Sequence, residues 1–191
     1  ENEIAQSCSA HKKIDDPKAF AKYWVHNGFV NVNGEKMSKS IGNIRLVHKL
    51  IKKYRGEVLR LALLSTHYRQ PLNWTSITIE QAHKTLDRLY RSLKELKNID
   101  IGKKEVLNPP EQILETLCND LNTPKTLVNL NSLSDQAFKA KKHEKKEIKR
   151  GLIASGLLLG ILQENPNVWL GYGQNKNIDF QTIEKLINER E

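Results

Sequence analysis

Gly28-Phe29-Val30-Asn31-Val32-Asn33-Gly34-Glu35-Lys36-Met37-Ser38-Lys39-Ser40-Ile41-Gly42-Asn43 is the stretch on which the reading of this chain turns. Its first half is β-rich and runs into Asn33-Gly34, the pair that accepts two successive positive φ angles. Residues 29–32 and 35–38 are therefore expected to form a hairpin with a type I′ turn. Its second half sets two ammonium groups, Lys36 and Lys39, three positions apart, with the hydroxyls of Ser38 and Ser40 beside them. Lysine is a mobile point charge on a long stem, suited to a phosphate chain that moves during reaction. Gly42 lets backbone approach a ligand closely. A helix opening after Asn43 would turn its N–H groups toward an anion. These parts can stabilise developing charge on a triphosphate under attack. The pentapeptide Lys36 to Ser40, taken alone, also fits an ordinary solvated loop.

Downstream the pattern becomes helical. A basic amphipathic segment runs from Ile44 to Tyr54, and a helix opens near Gly56-Glu57 carrying Val58, Leu59, Leu61, Ala62, Leu63 and Leu64, apolar nearly all round and so destined for burial. From Thr75, the residues Ile79, Ala82, Leu86, Leu89, Leu93 and Leu96 recur in steps of 3, 4, 3, 4 and 3. That is one apolar stripe over about five helical turns. Asn98 to Pro110 reads as a loop, and Pro110 opens a helix holding Ile113, Leu114, Leu117 and Leu121. Thr123 is expected to cap the next helix, with Pro124 at its first position and Leu127, Leu130, Leu133 and Ala137 inside. Lys139 to Lys149 is a charge run, expected to be a self-paired exposed helix, and Leu152 to Leu162 an apolar helical core. This half predicts a bundle of three to four helices. Asn165 to Gln174 reads as a loop, and Ile183, Leu186 and Ile187 as a last short helix. Upstream, Asp16 is expected to cap a helix with Pro17 at its first position.

Charge narrows the function classes. The 191 residues carry 31 Lys+Arg against 22 Asp+Glu, net +9. Residues 1–100 hold 18 basic and 10 acidic side chains, and residues 36–69 alone hold nine basic residues against Glu57, net +8. Basicity so concentrated points to a polyanion contact. Two cysteines 110 positions apart exclude a disulfide scaffold and a zinc ribbon, and fit a reducing, cytoplasmic setting. The longest apolar stretch, Gly151 to Leu162, is too short for a bilayer, so no membrane is expected. The first residues show no signal-peptide pattern, and without an initiator Met the chain is expected to be a processed or excised piece.

Tyr23 to Val30, the Asn33-Gly34 turn and Lys36 to Asn43 form one block. It resembles the signature-loop region of class I aminoacyl-tRNA synthetases, and among them the cysteinyl-tRNA synthetase family. Glu1 to Ser7, Glu57-Val58-Leu59-Arg60 with His67 to Leu72, and Asp120-Leu121-Asn122-Thr123-Pro124 resemble further segments of that family in order and spacing. The resemblance implies a mostly α chain: the end of a class I, Rossmann-type catalytic domain with a β-hairpin signature loop, then an α-helical bundle that binds tRNA. It implies ATP-dependent formation of cysteinyl adenylate and transfer to tRNA-Cys, with ATP, L-cysteine and tRNA-Cys as partners and Mg2+ and Zn2+ as ions. Lys39 would contact ATP phosphates with Lys36 assisting, both catalytic, while Met37, Ser38 and Ser40 complete the ATP-binding loop and Met37 packs it. Glu3 matches the carboxylate ligand of the family's zinc. Zinc suits the task because a thiolate is a soft ligand that a serine hydroxyl cannot imitate. The other ligands would lie before Glu1, so the chain alone is expected to lack half of the active site and to be inactive. Cys8 and Cys118 match no ligand position and are expected to be small hydrophobes.

Three regions follow: residues 1–72 as the end of the catalytic domain, 73–164 as the anticodon-binding type of bundle, and 165–191 as a linker into a further segment. The basic group Arg45, Lys49, Lys52, Lys53 and Arg55 is either a solvated face or a contact for the inner side of tRNA. His67-Tyr68-Arg69 reads as core, with Arg69 pairing a buried carboxylate. Trp24, Trp74 and Trp169 read as packing residues, Trp169 being the best candidate of the three for stacking on a base. The rival readings are the ligase that joins cysteine to an amino-sugar inositol in mycothiol synthesis, and a tRNA-binding module without catalysis.

Overall fold

The apolar stripe that begins at Ile79 builds the longest helix. In a computed structural model, which describes residues 2–11, 16, 21–102 and 108–171, it runs over Ser76–Glu95 (α4). Its N-cap Thr75 accepts a hydrogen bond from the Thr78 N–H, which satisfies one of the helix's unpaired first-turn donors. Leu86, Leu89, Tyr90 and Leu96 are fully buried. Before it lie α1 (Asn2–Ala10), β1 (Val30–Val32), β2 (Glu35–Lys36), the one-turn α2 (Val47–Leu50), α3 (Gly56–Leu64) and β3 (Leu72–Trp74). After it come α5 (Glu111–Cys118), α6 (Thr123–Lys139), α7 (Lys145–Leu159) and α8 (Pro166–Trp169). The described chain is thus mostly helical with one small mixed sheet.

The strands take the order β2-β1-β3. β1 pairs antiparallel with β2, Asn31 facing Lys36, and parallel with β3, Val30 facing Leu72 and Val32 facing Trp74. Asn33 and Gly34 both carry positive φ, 53° and 89°, as a type I′ turn requires. The sheet is tied to the loop ahead of β3 by a close approach at Gly28, whose N–H donates to the Tyr68 carbonyl at 2.6 Å. A Cβ at position 28 would stand 2.3 Å from the Gln70 carbonyl oxygen. Only glycine fits there.

α4 packs against α3 on one side and α6 on another, and α6 packs against α5 and α7. One apolar cluster runs from Val32 and Leu72 in the sheet through α3 and α4 to Leu130, Leu152 and Ile161, unbroken across residue 72. Gly160 ends α7 in the left-handed conformation, φ 68°.

Several expectations need correction. The helix cap before Pro124 is Asn122, whose side chain accepts from the Lys125 N–H, and helix α6 already includes Thr123. Asn wins because its carbonyl reaches the third N–H while its own backbone stays outside the helix. α5 stops at Cys118, and Leu121 is exposed in a left-handed conformation, φ 51°, rather than buried in the helix. The charge run 139–149 is not one self-paired helix: α6 ends at Lys139, α7 starts at Lys145, and Lys145 pairs with Glu95 of α4 at 2.9 Å. Lys149 donates to the Ile99 carbonyl at 2.7 Å. Residues 166–169 form the short helix α8 where a loop was expected, because Asn165 caps it with Pro166 at its start. Cys118 is exposed, whereas Cys8 is buried. The expected helix at Pro17 and the one around Ile183, Leu186 and Ile187 lie outside the described residues.

Candidate nucleotide-binding loop and basic groove

The hairpin presents Lys36 at the end of β2, and the chain then closes a tight loop back to Asn43. Asn43 joins both ends of that loop. Its Oδ1 accepts from the Ser38 N–H at 2.9 Å, and its Nδ2 donates to the Lys36 carbonyl at 3.3 Å. Inside the loop the Ser38 and Ser40 hydroxyls lie 3.1 Å apart, the Ile41 N–H donates to Ser38 Oγ at 3.3 Å, and the Gly42 N–H to the Lys39 carbonyl at 3.1 Å. Met37 is half-buried against the core, and its N–H donates to the Val30 carbonyl. Lys36 and Lys39 are both exposed. The Lys36 ammonium sits 4.1 Å from the centre of the Phe29 ring, where the face of the π system attracts a cation. From β3, Asn73 Oδ1 accepts from the Gly34 N–H at 2.9 Å and pins the hairpin tip.

The five residues Lys36 to Ser40 thus lie at the end of β2 and in the loop that follows it, with Lys36, Lys39 and Ser40 exposed. The helix expected directly after Asn43 begins at Val47 and lasts one turn. It is too short and too far along to aim a row of N–H groups at an anion.

Arg45, Lys49 and Lys53 line a groove of about 380 Å³ that passes Asn33 at the hairpin tip and Thr75 and Ser76 at the start of α4. Arg45, Lys49, Lys52 and Lys53 are exposed. Arg55 stands apart from them. Its guanidinium stacks 4.5 Å from the Trp169 ring centre, donates to the Trp169 carbonyl at 3.0 Å and meets Glu164 at 3.5 Å.

Trp169 is a packing residue. It is buried, stacks on Tyr90 with centroids 4.5 Å apart, and donates Nε1–H to Asp87 at 2.7 Å. No face is left for a base. Trp74 is buried as well, while Trp24 is half exposed.

His67-Tyr68-Arg69 is a surface cluster, not core. Arg69 binds Asp120 through two hydrogen bonds, Tyr68 donates its hydroxyl to the same carboxylate at 2.5 Å, and His67 lies 3.9 Å away. The carboxylate partner expected for Arg69 exists, but it is exposed, because it stands at the α5–α6 corner. The Arg69 hydrogen bond, then that of Tyr68, hold the Asp120 carboxyl at about 2.

Glu3 stands exposed on α1. Among the described residues, no three His, Cys, Asp or Glu side chains come together to hold a metal. The described residues alone therefore do not form a zinc site.

The side-chain roles of Asn43, Asn73 and Phe29 escaped the sequence reading. Gly34 and Asn73 are 39 positions apart, and only the parallel pairing of β1 with β3 brings them together. Asn43 carried a local signal: an amide five residues after Ser38, on the far side of a two-hydroxyl loop.

Comparison with known proteins gives this geometry its relatives. The chain is 44% identical over 194 residues to a protein of Parvibaculum lavamentivorans named cysteine–tRNA ligase, with all of the chain aligned. The chain is similar from end to end to a part of cysteine–tRNA ligases. Relatives of that name in Rhodospirillum rubrum and Maricaulis maris are also 44% identical across the whole chain. The family described as tRNA synthetases class I (C) catalytic domain matches residues 1–84. That match takes in the hairpin, the clamped loop and the basic groove. The chain spans about 40% of the length of these cysteine–tRNA ligase relatives.

Proposed function

We propose that the protein is an aminoacyl-tRNA ligase that activates cysteine with ATP and transfers it to tRNA-Cys, and that Lys36 to Ser40 is its phosphate-binding loop. The observation that carries this reading is the juxtaposition at the hairpin. Two exposed lysines three positions apart leave a loop whose ends are tied by Asn43, in a chain 44% identical throughout to proteins named cysteine–tRNA ligase.

Adenylate formation attacks the α-phosphate of ATP and releases pyrophosphate, so negative charge shifts onto the leaving group. In this reading Lys39 stabilises that charge, Lys36 assists from the end of β2, and the Ser38 and Ser40 hydroxyls lie within reach of phosphate oxygens. The lysines act only if they close over the nucleotide, as mobile loops do. Magnesium would accompany the ATP. Zinc is assigned no step, since among the described residues Glu3 belongs to no group of three or more candidate ligands. Arg45, Lys49 and Lys53 along the groove, and the exposed Lys52 beside them in sequence, are proposed to meet tRNA phosphates, and the α4–α7 helices to form the tRNA-binding bundle. A cytoplasmic location agrees with this reading, and among the described residues no helix is long and apolar enough to cross a membrane. The mycothiol ligase and the non-catalytic module are not favoured by relatives named cysteine–tRNA ligase.

The test is cysteine-dependent ATP–pyrophosphate exchange by the full-length protein and its Lys39→Ala variant. Loss of one preorganised electrostatic group predicts a rate lower by about 2–4 kcal/mol in barrier, with little change in KM for cysteine. An unchanged rate would overturn the assignment of Lys39.

A further inference from the structure

We infer that Asn43 is a positioning residue of the phosphate-binding loop, fixing the directions from which Lys36 and Lys39 leave the backbone; this rests on the reading of that loop given above. The two hydrogen bonds of Asn43 fall on opposite kinds of group. The Ser38 N–H can only donate, and the Lys36 carbonyl can only accept. The orientation of the Asn43 amide is therefore fixed by its partners, with Oδ1 on the N–H and Nδ2 on the carbonyl. No aspartate can do both. A carboxylate would keep the bond to Ser38 but would set an oxygen against the Lys36 carbonyl oxygen. It would also place a negative charge between the two lysines that have to meet phosphate.

The bond to Lys36 lies where β2 ends, and the bond to Ser38 lies two residues further on. Together they span Met37, whose N–H is itself held by Val30. The loop is thus fastened to the sheet at Met37 and to its own far end by Asn43. Lys39 follows directly on the fastened segment, and its carbonyl is held by the Gly42 N–H next to Asn43. Without Asn43, the Ser38–Ser40 and Ile41–Ser38 bonds remain, but they are internal to the loop and do not attach it to β2. Asn43 touches no reacting atom. Its effect passes through the placement of the two ammonium groups.

The experiment compares Asn43→Ala, Asn43→Asp and Asn43→Gln in the full-length protein. The first readout is hydrogen exchange of the backbone segment holding Ser38, which needs no activity. Exchange in Asn43→Ala is expected to be faster by about tenfold, the loss of roughly one net hydrogen bond. The second readout is cysteine-dependent ATP–pyrophosphate exchange. Both Asn43→Ala and Asn43→Asp should lower kcat by at least about tenfold, Asn43→Asp the more so, with KM for cysteine within about twofold, while Asn43→Gln, which keeps donor and acceptor, recovers part of the loss. Faster exchange at Ser38 with kcat unchanged would overturn the positioning role and leave the loop's own assignment standing. Unchanged exchange at Ser38 would overturn the clamp itself. No cysteine-dependent exchange in the unaltered protein would overturn the reading of the site, and the positioning role with it, whatever Ser38 shows.

Discussion

Arg69 grips Asp120 across 51 positions of sequence, Nε donating to Oδ2 at 2.7 Å and Nη2 to Oδ1 at 3.0 Å. The pair fastens the loop ahead of β3 to the corner between α5 and α6. Both Asp120 and Leu121 take left-handed backbone there, φ 54° and 51°. A non-glycine residue in that region is strained, so the clamp holds a corner that the local sequence does not favour. Asp120→Ala loses the clamp and keeps the strain at both positions, whereas Asp120→Gly loses the clamp and the strain at position 120, leaving only that at Leu121. Asp120→Gly is therefore expected to melt at a higher temperature than Asp120→Ala, and below the unaltered protein.

The same carboxylate predicts a pH dependence. Arg69 and Tyr68 lower its pKa from 3.8 to about 2. A group whose folded pKa is depressed stabilises the fold at pH above its unfolded value, and that contribution is lost as pH falls through the folded one. The melting temperatures of the unaltered protein and of Asp120→Asn should therefore differ above about pH 4 and converge as pH falls toward about 2. A gap that stays constant over that window would show that the carboxylate's charge contributes nothing to the clamp.

Glu57 is a second anchor, and a more enclosed one. Its two oxygens accept from the Tyr90 hydroxyl at 3.0 and 2.9 Å, from the Gln163 N–H at 2.8 Å and from the Leu162 N–H at 2.9 Å. The Tyr90 oxygen in turn accepts from the Glu164 N–H at 3.0 Å. Burial, more than the carboxylate beside it, pushes the Tyr90 phenol well above its ordinary pKa, so it stays a donor. Glu57→Ala would leave two backbone N–H groups and a phenol without their acceptor. Urea unfolding should show a loss of about 3 kcal/mol, and a smaller loss of about 1–2 kcal/mol for Tyr90→Phe, which removes the donor to Glu57 and the acceptor of the Glu164 N–H but leaves the Leu162 and Gln163 N–H groups bonded.

Two glycines should fail for different reasons. Gly28→Ala drives a Cβ against the Gln70 carbonyl, so the loop ahead of β3 has to move, at roughly 1–3 kcal/mol. Gly34→Ala meets nothing within 4 Å but keeps a φ of 89°, at roughly 1–2 kcal/mol. Chemical denaturation gives both magnitudes. Crystal structures of the two variants should show backbone displacement around Gln70 for Gly28→Ala and an altered turn alone for Gly34→Ala.

What the sequence made legible was whatever depends on near neighbours. The α4 stripe is periodic, and its residues Ile79, Ala82, Leu86, Leu89, Leu93 and Leu96 are all buried. The Asn33-Gly34 turn declares its own backbone. What depends on distant partners was not legible in detail. Trp169 read as a packing residue, but nothing near it in sequence shows that Asp87, Tyr90 and Arg55, 79 to 114 positions away, are what enclose it. Arg69 was expected to find a carboxylate, but nothing local shows that it is Asp120 or that it is exposed. The lysines of 139–149 looked self-paired because Glu144 and Glu147 stand among them, yet Lys145 reaches Glu95 on the neighbouring helix. At the loop, residue types led to the proposal of phosphate chemistry, while the side chains that hold the loop in shape did not announce themselves.

The basic residues of 45–55 divide by what already holds them, and the division is measurable. Lys49 and Lys52 are exposed, and Lys49 lines the groove beside the hairpin tip. If they neutralise RNA phosphates, each releases about one counterion on binding. Lys49→Ala and Lys52→Ala should each reduce the slope of log affinity for tRNA against log salt by about one, and should leave the melting temperature unchanged. Arg55→Ala should behave in the opposite way. It removes the stack on Trp169 and the bond to the Trp169 carbonyl, so it should lower the melting temperature and leave the salt slope unchanged. A salt slope that falls equally for Arg55→Ala and Lys49→Ala would mean that Arg55 leaves Trp169 to meet the RNA.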